Sequence, residues 1–165
     1  MATPSPSPVH PVLRRSAAPP AALDLLAKAH RGLAEAGALP RPHERYATAH
    51  LAALRTAAAV LAARGRPEPV NPRRRPRIRS AWELLPEMAP ELSEWSALFA
   101  SGAARRARAE AGIADAATER EADDLVRAVS MFLRLVERML GLPSAAPRAL
   151  PGTLPLPRAE RPDAG

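Results

Sequence analysis

Residues 118–141 read TEREADDLVRAVSMFLRLVERMLG. Thr118, with Glu121 three residues on, forms a capping box, and Gly141 closes the run. Between them Leu125, Val129, Phe132, Leu133, Val136 and Leu140 recur at the spacing of one helix face. The stripe is wide, with Val126, Leu135 and Met139 on its flanks. It predicts a long final helix. Either that helix is the most buried of a bundle, or its excess apolar surface meets a partner.

The upstream segments repeat the pattern. Residues 20–37 carry Leu23, Leu26, Ala27, Leu33 and Ala34 on one face, with Gly37 as C-cap. After a short turn, residues 42–65 carry Tyr46, Ala49, Ala53, Leu54, Ala57, Val60 and Leu61, opened by Pro42 and ended by Gly65. The short turn makes these two an antiparallel hairpin. Ser80 and Glu83 form a second capping box, followed by Trp82, Leu84 and Leu85, and Pro86 and Pro90 break or kink that helix. The segment PELSEWSALFASGAARRARAEAG, residues 90–112, supplies Leu92, Trp95 and Phe99. Trp82, Trp95 and Phe99 are read as core, since a small bundle with few aromatics needs them inside.

Composition agrees with an all-α domain. Aromatics are 3% of the 165 residues and β-branched residues are scarce, which argues against strands. Of the 20 prolines, six fall in 1–20, six in 143–165 and four in 67–76. These positions divide the chain into a Pro/Ala-rich tail at 1–19, a helical bundle at 20–142 with a basic loop at 66–79, and a second tail at 143–165. Tails with so few large apolar residues are expected to be disordered. Cysteine is absent, which excludes disulfides and thiolate ligands. No run approaches the about 20 apolar residues of a membrane span, and no signal peptide is visible. The expectation is a soluble cytoplasmic protein.

The net charge is +7 and Lys28 is the only lysine. A GC-rich genome and a nucleic-acid partner explain this arginine excess equally well. The excess concentrates in Arg64, Arg66, Arg73, Arg74, Arg75, Arg77 and Arg79, opposed only by Glu68. Such a segment suits salt-dependent, sequence-blind phosphate contact, although no interleaved aromatics are present to stack on bases. The alternatives are a solvated loop or one that docks an acidic protein. Arg105, Arg106 and Arg108 form a possible second patch.

The stretch ERYATAHLAALRTAAAVL, residues 44–61, resembles the second helix of HEPN domains (higher eukaryotes and prokaryotes nucleotide-binding). SAWELLPEMAPELSEWSALFASGAARRARAEAG and READDLVRAVSMFLRLVE resemble an actinobacterial branch of that family. The resemblance implies a four- to five-helix up-and-down bundle, frequent homodimers, and roles around RNA, nucleotides, toxin–antitoxin pairs or defence. It also implies that some members are metal-independent RNases using an arginine and a histidine four to six residues apart, while others bind or scaffold.

Arg45 and His50 have that spacing and are the candidate catalytic pair. The histidine would move the 2′-hydroxyl proton and the arginine would stabilise phosphate charge. Two observations oppose this. The family's pair belongs near its final helix, and here no histidine follows residue 50. A five-residue offset also places the two side chains about 140° apart around a helix. The bland reading makes His50 a bundle-edge residue, able to meet Tyr46 and His30 across the hairpin, and Arg45 a solvated first-turn residue.

Other chemistry is weaker. His43 and His50 share a face but are roughly 10.5 Å apart along the axis, too far for one metal ion. Glu119, Glu121, Asp123 and Asp124 suit a helix N-terminus better than acid–base work, and Asp123 is placed to pair with Arg127. Without strands there is no glycine-rich phosphate loop. No cofactor or metal is implied. The favoured function is a non-catalytic binding or interaction module for RNA, nucleotide or a partner protein. The alternatives are a metal-independent RNase using Arg45 and His50, and a structural adaptor binding through the final helix by Leu135 and Met139.

Overall fold

A computed structural model describes residues 18–65 and 79–143. The tails and most of the basic loop, including Arg66, Arg73, Arg74, Arg75 and Arg77, lie outside the described residues. Within them the chain forms α1 (Pro20–Ala38), α2 (Pro42–Arg64), α3 (Ala81–Met88), a 3-10 turn (Pro90–Leu92), α4 (Ser93–Ser101), α5 (Ala103–Glu110) and α6 (Glu119–Met139). The described residues contain no strand. The all-α bundle is the expected one. Its helices number six because the third limb is cut at Pro90 and again at Gly102.

Small side chains set the close packing of α1 against α2. Ala22, Ala29 and Ala36 of α1 and Ala49, Ala52, Ala53, Ala57 and Ala59 of α2 are fully buried. A Cβ on Gly32 would lie 3.2 Å from the Arg55 guanidinium and 3.6 Å from the Ala52 methyl, so glycine there lets the helices approach. Gly37, expected to cap α1, instead lies inside it. The helix runs to Ala38 and stops at Leu39, whose extended backbone (φ −75, ψ 126) is dictated by the following Pro40.

The large side chains gather where α3 and α4 meet α2 and α6. Trp82 stacks on Phe99 at 5.2 Å, Phe99 meets Phe132 at 5.2 Å, and Trp95 stacks on Phe132 at 5.4 Å. Leu85, Leu92, Leu133, Val129 and Val136 fill the space around them. Such offset aromatic pairs are each worth about 0.5–1.5 kcal/mol beyond the area they bury. Pro86 sits inside α3 and has no N–H to give to the Trp82 carbonyl. Ser96, buried in α4, supplies the missing donor: its hydroxyl reaches that carbonyl at 2.6 Å.

Both capping residues are in place. Ser80 accepts from the Glu83 amide, and Thr118 and Glu121 form the complete reciprocal box. Gly141 takes φ 68 just past α6, while the Leu142 amide bonds back to the Glu137 carbonyl at 2.9 Å. On α6, Val129, Phe132, Leu133 and Val136 are buried, whereas Leu135 and Met139 are half-buried and packed against the same core. These flanking residues therefore give part of their surface to the bundle. The exposed large apolar side chains on this side are Met131 at 59% and Leu98 at 50%.

Candidate functional site

Arg45 and His50 stand five residues apart on α2, about 1.4 turns, and end in different surroundings. The Arg45 guanidinium donates from Nε to the Leu39 carbonyl at 3.0 Å and from Nη2 to the Pro40 carbonyl at 3.3 Å. Its Nη1 pairs with Asp123 at the start of α6. Arg45 thus closes the α1–α2 turn and ties it to α6, with its side chain 13% exposed.

His50 is fully buried. Its Nε2–H donates to the Phe99 carbonyl at 2.9 Å, which fixes the tautomer and leaves Nδ1 an acceptor without a partner. The Gly102 amide bonds the same carbonyl at 3.1 Å, so His50 helps cap the end of α4. Its ring packs beside Trp82 at 5.9 Å and Phe99 at 6.2 Å. Burial pushes the imidazole below its usual range, partly countered by the Phe99 hydrogen bond. His50 meets Tyr46 at 6.4 Å, as the hairpin reading expected, but His30 does not join them. His30 crosses from α1 to pair with the buried Glu137 of α6. His43 is also buried.

The other charged candidates are largely paired among themselves. Arg64 pairs with Glu91, and Arg79 with Glu83 and Glu87. Arg105 pairs with Glu121 at 3.0 Å, Arg106 with Glu110 at 2.8 Å and Arg108 with Asp115 at 3.6 Å. Asp123 takes Arg45 rather than Arg127, and Arg127 takes Asp124 instead. The Thr118 amide holds the Glu121 carboxyl below its ordinary range, with Arg105 adding a smaller pull. Among the described residues, no three His, Asp or Glu side chains group so as to hold a metal ion.

The described residues hold 14 Lys and Arg and 14 Asp and Glu, so the helical body is neutral. The whole +7 falls in residues 1–17, 66–78 and 144–165, and the segment 66–78 alone has five arginines against Glu68.

One concave feature escaped the sequence. A groove of about 360 Å³ opens where α2, the α4–α5 junction and α6 meet, lined by Tyr46, His50, Leu98, Gly102, Arg105 and Leu125 among others. The Arg105 guanidinium sits 5.7 Å above the Tyr46 ring. The signal that could have located it was Gly102, a helix-weakening residue inside an otherwise alanine-rich run.

With this geometry in hand, the comparison with known families is decisive. The family model of SAV_6107-like HEPN domains matches residues 36–137. The chain belongs to the HEPN family. The match takes in α2 to α6 and begins near the end of α1. No curated protein and no solved structure gives a match. No described helix of this HEPN domain is long and apolar enough to cross a membrane. Membership supplies the fold; what the domain binds must be argued from its own residues.

Proposed function

We propose that this HEPN domain is a non-catalytic binding module that engages RNA through the arginine-rich segment between α2 and α3. The observation that carries this reading is the charge partition. A neutral body with its largest basic excess in one 13-residue segment, residues 66–78, concentrates phosphate affinity in one place. The surroundings of Arg45 and His50 support the non-catalytic half. A general base must come within hydrogen-bond reach of its proton, and His50 is fully buried with Nε2 committed to Phe99. Arg45 is committed to two carbonyls and Asp123.

The test is a binding titration of the full chain with single-stranded RNA at several salt concentrations. The expected result is affinity that falls steeply with salt, with a shallower slope when Arg73, Arg74 and Arg75 are replaced by serine. Affinity indifferent to both changes would move the reading to a partner protein. RNA cleavage in EDTA that is lost in His50→Gln would replace it with the RNase reading, since glutamine can still donate to the Phe99 carbonyl and keep the fold.

A further inference from the structure

We propose that the groove between α2, the α4–α5 junction and α6 is a binding site for a small organic oxyanion carried on an apolar body. The inference is independent of the RNA reading and uses different residues. It starts from which polar groups in the groove are still free. Glu121 holds Arg105 on one oxygen and the Thr118 amide and hydroxyl on the other. Asp124 holds Arg127 on Oδ1 and Arg120 on Oδ2 at 3.9 Å. The Leu98 carbonyl accepts from Ser101, and the Phe99 carbonyl from His50 and Gly102. These acceptors are occupied, Asp124 by Arg120 and Arg127 and Glu121 by Thr118 and by Arg105 of the groove itself.

The donors are not. Tyr46 is only 5% exposed as a residue, and its hydroxyl, which stays open to the groove, makes no hydrogen bond among the described residues. Arg105 pairs with Glu121 through one terminal nitrogen and holds its guanidinium carbon 5.7 Å from the centre of the Tyr46 ring, with further N–H groups unspent. The unspent polar groups of the groove are the Tyr46 hydroxyl, the remaining Arg105 N–H groups and the buried Nδ1 of His50; the donors suit a carboxylate or phosphate oxygen, and Nδ1 can accept from a phosphate's remaining hydroxyl. Leu98, Leu125 and Ala128 line the same groove and take the apolar part. The volume of about 360 Å³ lies at the small end of the range for ligand pockets. Gly102 makes room: a Cβ there would lie 2.6 Å from the Tyr46 hydroxyl and block access to it.

The experiment titrates the full chain with octanoate, octyl phosphate and octanol at constant ionic strength. It reads the emission of Trp82, which lies 5.9 Å from His50 at the groove floor, and of Trp95. At least one of the two anions is expected to bind saturably, about tenfold or more tighter than octanol, and the tighter one identifies the headgroup. Arg105→Gln is expected to weaken it about tenfold or more and Tyr46→Phe about threefold or more, with helicity unchanged by circular dichroism. Leu98→Gln is expected to weaken the anion and octanol alike. Absence of saturable binding by both anions overturns the proposal. So does binding that survives Arg105→Gln and Tyr46→Phe together.

Discussion

The Tyr46 hydroxyl lies directly over Gly102, 2.6 Å from where an alanine methyl would stand. Gly102 has φ −86, so its backbone suits any residue and only the tyrosine excludes a side chain. Gly102→Ala is therefore expected to cost about 1–3 kcal/mol through overpacking. Tyr46→Phe in the same chain should recover most of that loss, because the hydroxyl has no hydrogen bond to forfeit. Chemical denaturation of the two single variants and the double variant reads this coupling; additive losses would exclude the steric account.

Acid should loosen the fold through His50. Its folded-state pKa lies below the ordinary 6.5, so the unfolded chain binds the proton first. The stability due to neutral His50 is present above about pH 6.5 and is lost as pH falls from there towards the folded value. Melting temperatures measured between pH 8 and 5 should decline over that window in the native chain and less so in His50→Gln. Equal decline in both would assign the titration to other groups.

Ser96 and Pro86 form a compensating pair. Ser96→Ala removes the hydroxyl that stands in for the missing Pro86 N–H at the Trp82 carbonyl and should cost about 1–3 kcal/mol, the penalty for under-satisfying a buried acceptor. Pro86→Ala in that background restores an N–H at the position α-helical geometry requires and should return part of the loss. Denaturant midpoints decide it.

His30 and Glu137 join α1 to α6, and one Glu137 oxygen already lacks a partner. His30→Ala is expected to destabilise by about 1–3 kcal/mol, because the Glu137 carboxyl then loses its remaining side-chain partner. His30 is 41% exposed, which lets solvent reach the site and keeps the loss from growing larger. A thermal shift no greater than that of an exposed control such as Arg120→Ala would remove the pair from the list of structural contacts.

The two sides of α6 should respond differently to charge. Leu135→Asp places a carboxylate against the core and should lower the melting temperature by many degrees. Met131→Asp, at a side chain 59% exposed, should leave it within a few degrees. A loss of partner binding in Met131→Asp with the fold intact would place an adaptor surface there rather than at Leu135 or Met139.

Much of the fold was legible because its determinants are local. Pro20, Pro42, Ser80 and Thr118 mark helix starts through backbone chemistry that needs no neighbour. The Leu, Val and Ala spacing told which faces turn inward. The angle between Arg45 and His50 was likewise a property of one helix. What stayed hidden depends on residues far apart in sequence. His30 finds Glu137 across 107 positions, and Ser96 replaces a donor missing at Pro86. The groove exists only because Tyr46 of one limb meets the Gly102 break of another. Gly37 misled because α1 runs through it to Ala38 and stops only at Leu39, where the following Pro40 forces extended backbone.

The even count of charges in the helical body has a practical corollary for handling the protein. The described residues carry equal numbers of cations and anions, and residues 1–17, 66–78 and 144–165 carry the whole excess. Salt should strip the chain from a cation-exchange matrix by screening that excess. Charge-driven adhesion is then set by stretches outside the helical body, and substitutions there tune it without touching the charge balance of the body itself.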